Sequence, residues 1–270
     1  MKQCIAALSA LLLTAALAGC AGQETVSPTP DSAPSETPPA VTAAPTASPA
    51  PGPTDTPART PDPSPEQPPG QRVEGAMTHA EFLNAAPGTP VVVDAYVQAK
   101  QAWWDYKLTV YARSGDGAYF INNMGADEAE AAALKPGTHI LVSGRKAEWE
   151  GEEQIIDATF ELLAGEYLAP AVDLSALWGE GEALREHQNE LVLFRSLTVE
   201  AVGEREGCPA FRAGAEGVSY DFLLPEGLAG PDSELYQAVL ALGPGDEVDV
   251  ECFLLWQGDM LPHVVAVSVG

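Results

Sequence analysis

The chain has 270 residues, with 39 Asp and Glu against 13 Lys and Arg, 24 Pro and 25 Gly. A formal charge of −26 repels polyanions, so nucleic acid and anionic lipid surfaces are expected to be excluded, leaving cations, basic partners and neutral sugars. Four Cys and four His lie apart, with no CxxC, HExxH, GxSxG or Walker spacing; no catalytic residue, metal site or cofactor is therefore assigned.

At the start, Lys2 precedes an apolar stretch from Ile5 to Leu17 that is too short to span a bilayer, followed by Leu17-Ala18-Gly19-Cys20. Small residues before Cys20 suit a peptidase pocket. The segment resembles a bacterial lipoprotein signal, which implies cleavage before Cys20, acylation of its sulfur and residence at the bacterial cell envelope, outside the cytoplasm. Residues 1–19 are then a signal peptide. Residues 20–76 form a lipidated, disordered tether. Of the 24 prolines, 15 fall in residues 21–76, with Ser, Thr and Ala filling runs such as Pro45-Thr46-Ala47-Ser48-Pro49. Proline lacks a backbone donor and small polar residues bury little, so no core is expected there.

Residues 77–270 carry 32 Asp and Glu against 10 Lys and Arg and are long enough for one large core or two small ones. A short helix is predicted first: Thr78 caps it, Glu81 completes a capping box, and Phe82 and Leu83 give it an apolar face. Strands follow over Val91 to Lys100, Tyr106 to Arg113 and Ala118 to Met124, the last two joined by Asp116-Gly117. A helix over Asp127 to Lys135 is stopped by Pro136-Gly137, and strands over His139 to Trp149 and Gln154 to Leu163 close the unit. In the last strand the alternation puts Ile156, Ala158, Phe160 and Leu162 on one face.

The order then repeats. Leu134-Lys135-Pro136-Gly137 returns as Leu242-Gly243-Pro244-Gly245 after 108 residues, and Trp149-Glu150-Gly151 returns as Trp256-Gln257-Gly258 after 107. Predicted strands run over Leu191 to Val202, Pro209 to Arg212 and Val218 to Leu224. A helix over Ser233 to Leu242 follows. A strand carries Val248, Val250, Cys252, Leu254 and Trp256 on one face, and a last strand does the same with Val265, Val267 and Val269.

Three strands, a helix and two strands is the order of an OB-fold. The expected fold is mainly β: two tandem OB-fold-like five-stranded Greek-key barrels, over 77–164 and 165–270. Each carries a short helix between strands 3 and 4. Through Tyr96-Val97-Gln98, Trp103-Trp104-Asp105, Leu134-Lys135-Pro136-Gly137 and Trp149-Glu150-Gly151 the chain resembles the OB-fold domains of bacterial lipoproteins, well over 77–164 and less well over 187–270. That resemblance implies a non-catalytic binding or assembly module.

OB-folds bind along strands two and three and the loops flanking them. In the first unit this singles out Trp103, Trp104, Tyr106, Tyr119, Asn122 and Trp149 as ligand-binding candidates, with aromatic planes beside amides and carboxylates suited to a wall glycan, a peptide or an envelope protein. Trp149 has a counterpart in Trp256, which points to packing; Trp103 and Trp104 have none, and two adjacent residues of a strand cannot both face the core. Clusters at Glu150, Glu152 and Glu153 and at Asp246, Glu247, Asp249 and Glu251 offer oxygen ligands for calcium, but no DxDxDG loop accompanies them. Cys208 and Cys252 are a candidate disulfide in an oxidising compartment. The functional expectation is a membrane-anchored binding or scaffolding lipoprotein that engages an envelope partner. The alternatives are an extracellular hydrolase using paired carboxylates, or a ligand-free spacer.

Overall fold

A computed structural model describes residues 72–270. The signal peptide, Cys20 and nearly all of the Pro-rich stretch lie outside the described residues. In chain order the elements of the first half are α1 (His79–Asn84), β1 (Pro90–Lys100), β2 (Lys107–Arg113), β3 (Ala118–Gly125), α2 (Glu128–Ala133), β4 (Thr138–Trp149) and β5 (Glu152–Glu166). The second half adds β6 (Val172–Asp173), a 3-10 turn (Ser175–Leu177), α3 (Gly181–Arg185), β7 (Leu191–Arg205), β8 (Cys208–Ala215), β9 (Val218–Leu223), α4 (Glu234–Ala241), β10 (Glu247–Phe253), β11 (Trp256–Gln257), β12 (Asp259–Met260) and β13 (His263–Val269). Among the described residues no helix is long and apolar enough to cross a membrane.

Both halves close as OB barrels. The first runs β1-β2-β3-β5-β4 and returns to β1, with β3 and β5 parallel at Phe120↔Gln154 and Ile121↔Ile155. The second runs β7-β8-β9-β13-β10, closes through β10 onto β7, and repeats the parallel contact at His263↔Leu223; β6 adds a short parallel strand at one end of β7. The fold is therefore mainly β and of OB type, with α2 and α4 in equivalent places between strands three and four.

Local chemistry accounts for the helix positions. Thr78 and Asp127 each accept from the backbone N–H three residues on, and Glu81 and Glu130 reach back to the cap N–H in two complete capping boxes. Phe82 fills the first barrel's end, whereas Leu83, expected to share its face, is exposed. Helix α2 ends at Ala133, so Lys135 falls outside it.

Closing a short barrel requires strands to bend, and bulges supply the bend. Asp157 takes a φ of 50°, and the β4–β5 register shifts between Ser143 and Arg145. The inward set of β5 thereby becomes Ile155 and Ala158, and Ile156 is turned half outward, which corrects the unbroken alternation expected from Ile156 onward. A shift between Glu251 and Cys252 likewise puts Val264 in the core, whereas Val265 faces away from it and Val269 is exposed.

Each barrel has its own core. Phe82, Val93, Val110, Tyr119, Ile121 and Ile140 belong to the first; Phe194, Phe211, Phe222, Val250, Cys252 and Leu254 belong to the second. A third cluster joins them: Tyr111 of β2 stacks on Phe253 of β10 with centroids 4.3 Å apart, and Phe120, Leu191, Leu228, Leu255 and Val265 surround the pair. The candidate disulfide does not form. Cys252 is a free thiol inside the second core, while Cys208 packs in a different cluster with Ala210, Leu223 and Leu261.

Candidate functional site

The outward face of β2 and β3 is the surface on which an OB barrel ordinarily takes its ligand. In the first barrel it is covered. Tyr111 and Phe120 lie on it and both pack in the cluster shared with the second barrel. The Tyr111 hydroxyl donates to Nδ1 of His263 at 2.7 Å and accepts from the Gln101 amide at 2.8 Å. Burial raises the Tyr111 phenol far above its ordinary value and pushes His263 down to about 3, so both are neutral at pH 7. Arg113, last on β2, pairs with Glu190 at 3.2 Å.

The β4–β5 turn is also engaged. Gly258 N–H of the second barrel donates to the Glu150 carbonyl at 2.7 Å, so the two repeated Trp-x-Gly turns meet. Glu152 is 4 % exposed, and its Oε2 accepts from the Trp256 N–H at 2.8 Å and from the Gln188 amide at 2.9 Å. Its Oε1 is buried without a hydrogen-bond partner among the described residues. Burial pushes this carboxyl up to about 8, against the donors from Trp256 and Gln188 that pull it down. Arg185 donates to the Gly151 carbonyl and lies over the Trp256 ring at 4.8 Å. Neither acidic cluster gathers around a cation position: Glu152 is consumed in this contact, Glu153 pairs with Lys146, and Asp249 pairs with Arg195. Among the described residues no group of three or more His, Cys, Asp or Glu is placed to hold a metal.

What remains open on the first barrel is the β1–β2 connection. Trp104 and Lys107 form an isolated antiparallel bridge with both backbone hydrogen bonds made, at 3.0 and 2.9 Å. Between them Asp105 and Tyr106 both have positive φ, 47° and 59°. This is the left-handed pair of a two-residue hairpin, a place that favours Asn-Gly or Asp-Gly. Trp103, Trp104 and Tyr106 are 36 %, 46 % and 70 % exposed. The two tryptophans are both exposed because they sit in a turn, free of the alternation that a strand would impose. Trp103 is anchored nonetheless: its indole N–H donates to the Ala126 carbonyl at 2.8 Å, and its ring meets Tyr106 edge-on, centroids 5.8 Å apart. The base of the loop is tied to the second barrel by Ala102 N–H donating to the Gly227 carbonyl at 2.6 Å.

Beside this hairpin lies a cleft of about 550 Å³, lined by Trp103, Tyr106, Asp127, Glu128, Ala129 and Ala132. Of the six sequence-level candidates, Trp103 and Tyr106 meet there. Trp104 is on the same hairpin but does not line the cleft. Tyr119 is fully buried in the barrel core, edge-on to Phe82, and cannot touch a ligand. Asn122 is half-buried and donates to Gln154 at 3.0 Å. Trp149, expected to pack, is half exposed and belongs to the turn that meets the second barrel. The α2 carboxylates and the α3 side chains Arg185 and Gln188 were not singled out from sequence. The capping box of α2 was the signal for the former; the segment before β7 carried no periodic pattern to signal the latter.

No protein-family model and no curated protein sequence matches the chain. Solved structures do align. The HINa domain of Ifi202 in complex with double-stranded DNA is 12% identical, with 69% of this chain and 97% of that chain covered and a TM-score of 0.32. A murine DNA-binding protein bound to double-stranded DNA is 11% identical, covering 67% and 94%, at 0.34. A replication protein A heterotrimer bound to single-stranded DNA is 10% identical, covering 70% and 51%, at 0.30. DNA is the ligand of those proteins. For this chain the finding overturns two expectations, that an envelope glycan, peptide or protein is the partner and that nucleic acid is set aside by charge alone.

Proposed function

We propose that the chain is a non-catalytic binding protein built on a tandem OB-fold unit, and that its contact surface is the aromatic hairpin of residues 103–107 with the start of α2. The observation that carries this reading is a pairing of opposites. The β2–β3 face is closed by Tyr111, Phe253 and their neighbours, while three aromatic side chains stand exposed on a hairpin whose backbone is held in an unfavourable conformation. Strain retained under exposed rings, and a ring fixed by its own N–H hydrogen bond, are features of a presented surface. Exposed aromatic faces act as stacking platforms in OB-fold proteins.

The test is amide mapping of the full chain against single-stranded DNA, duplex DNA and small ammonium compounds. Any ligand that binds should shift the amides of residues 102–107 and 126–132. Shifts confined to β8 and β9, where Arg212 pairs with Asp221 and Glu200, would move the contact to the second barrel and overturn the reading. We further propose that the protein is held at the bacterial cell envelope through lipid on Cys20, more than one acyl chain being needed for stable anchoring. Labelled palmitate should enter the wild type and not Cys20→Ser.

A further inference from the structure

The cleft beside the hairpin has three chemically distinct walls. Trp103 and Tyr106 meet edge-on at 78°, and both rings line the cleft. Asp127 and Glu128 line it as well, and Ala129 and Ala132 add small apolar surface. Of the two carboxylates, that of Asp127 is held in place by local structure. Asp127 caps α2 by accepting from the Glu130 N–H at 2.8 Å, and Glu130 returns the contact to the Asp127 N–H at 2.8 Å. Glu128, the next residue, is exposed and forms no ion pair or side-chain hydrogen bond among the described residues.

Each ligand class meets these walls differently. A neutral flat ring gains from the aromatic side and nothing from the carboxylates. An anion is repelled by Asp127 and Glu128. A cation with an apolar surface gains from all three: ring faces attract it through their quadrupoles, carboxylates through charge, and alanines through burial of its methyl groups. Inorganic cations lose most by entering, since they must shed water to touch the rings and find no cage of oxygens there.

We propose that this cleft binds an organic cation, an alkylated or methylated ammonium group. The inference rests on the reading of the hairpin as the contact surface and adds the chemistry of the group it takes. Trp103 and Tyr106 supply the ring faces, and Glu128 with Asp127 supplies the countercharge.

The test uses choline as probe and 3,3-dimethylbutan-1-ol, its uncharged carbon counterpart, as control. The readout is the indole N–H resonance of Trp103 in the full chain, assigned by its absence in Trp103→Phe. Choline should shift this resonance saturably, and the neutral counterpart should bind at least roughly tenfold more weakly, the discrimination that charge against ring faces and carboxylates supplies. Glu128→Gln, at an exposed position that leaves the cap intact, should weaken choline several-fold and leave the alcohol unchanged. Tyr106→Phe should retain binding and Tyr106→Ala should lose it.

Equal affinity for choline and the alcohol would overturn the cation while leaving an apolar ring site. No choline response, with an oligonucleotide shifting the same hairpin amides, would also overturn the cation and leave the contact surface standing. Shifts only on the second barrel, for every probe, would remove both readings.

Discussion

The two barrels share a topology and differ at the same turn. In the second barrel the connection between its first two strands is Glu206-Gly207, with φ of 55° and 79°; in the first it is Asp105-Tyr106, at 47° and 59°. Both are two-residue hairpins with a left-handed pair, and one has the glycine that such a pair favours while the other has a tyrosine. The neighbouring faces are inverted as well. The first barrel's strand-two and strand-three face is sealed by the second barrel, whereas in the second barrel Arg212 of β8 and Asp221 of β9 join Glu200 and Arg205 of β7 in a solvent-accessible network. Covering its sheet face leaves the first barrel with its rim for contact, and the rim is where unfavourable backbone is retained under exposed rings.

The largest expected effect comes from breaking the seal. Phe253→Ala removes the ring stacked on Tyr111 and should cost about 3 kcal/mol, at the low end for a buried phenylalanine because the site joins two separate cores. Denaturant unfolding should show a lowered midpoint, and hydrogen exchange should quicken on β2 and β3. An unchanged midpoint would mean the barrels are not energetically coupled.

The next effect is on pH. Glu152 titrates near 4.5 when unfolded and is pushed up to about 8 by burial when folded. Between those values the folded chain keeps a proton that the unfolded chain has lost. Stability therefore falls as pH rises, by roughly 1.4 kcal/mol per unit. His263 moves the other way, from 6.5 down to about 3, so between those values the unfolded chain binds the extra proton and stability rises with pH. The two slopes offset each other from 4.5 to 6.5. Above 6.5 His263 no longer offsets Glu152, whose own share of the loss by pH 8 should reach about 2 kcal/mol; His187, raised by its hydrogen bond to Glu190, adds to the fall in the same direction. Glu152→Gln should flatten this alkaline limb relative to wild type, turn the level stretch from 4.5 to 6.5 into a rise and leave the slope below 4.5 unaltered; His263→Gln should keep the alkaline limb, turn the same stretch into a fall and flatten the rise below 4.5. Chemical denaturation across pH reads both, and parallel curves for wild type and Glu152→Gln would place this carboxyl in water.

A smaller effect belongs to the rim. Trp103→Phe keeps a ring but deletes the donor to Ala126, and should cost about 1 kcal/mol in thermal or chemical unfolding.

The barrels were legible because their signals are local and periodic: the capping box at Thr78, the Pro136-Gly137 stop after the second helix, Gly-containing turns, and strands alternating every second residue. Bulges were not. Nothing in Ile155-Ile156-Asp157 tells which isoleucine faces inward until β4 fixes the register, and a one-residue slip turns every later side chain over. The exposed Trp103 was legible, with Trp104, as an aromatic lacking a counterpart in the repeat, and Tyr106 as an aromatic on the same loop. The seal was not, since the Tyr111–Phe253 contact joins residues far apart in the chain and Tyr111 reads as an ordinary strand residue. Trp149 misled for the same reason: its repeat partner Trp256 packs against the second core, but Trp149 sits on a turn that the second barrel meets through its backbone.

The finest test exchanges the two turns. An added Cβ at Gly207 meets nothing within 4 Å, so the Cβ of Gly207→Tyr encounters no clash and the expected cost of about 1 kcal/mol is that of the left-handed backbone. Tyr106→Gly should reverse that strain, and with Tyr106 mostly exposed little packing is lost. The gain is expected to be about 0.5 kcal/mol, the glycine's greater freedom in the unfolded chain taking back part of the relief. Thermal unfolding of the two single variants measures the pair. Opposite signs would mean that the first barrel holds a ring at this position against its own stability, and the same Tyr106→Gly protein should then have lost the Trp103 response to choline. A destabilised Tyr106→Gly would instead make the tyrosine a structural prop of the hairpin, and its exposure would no longer argue for a ligand.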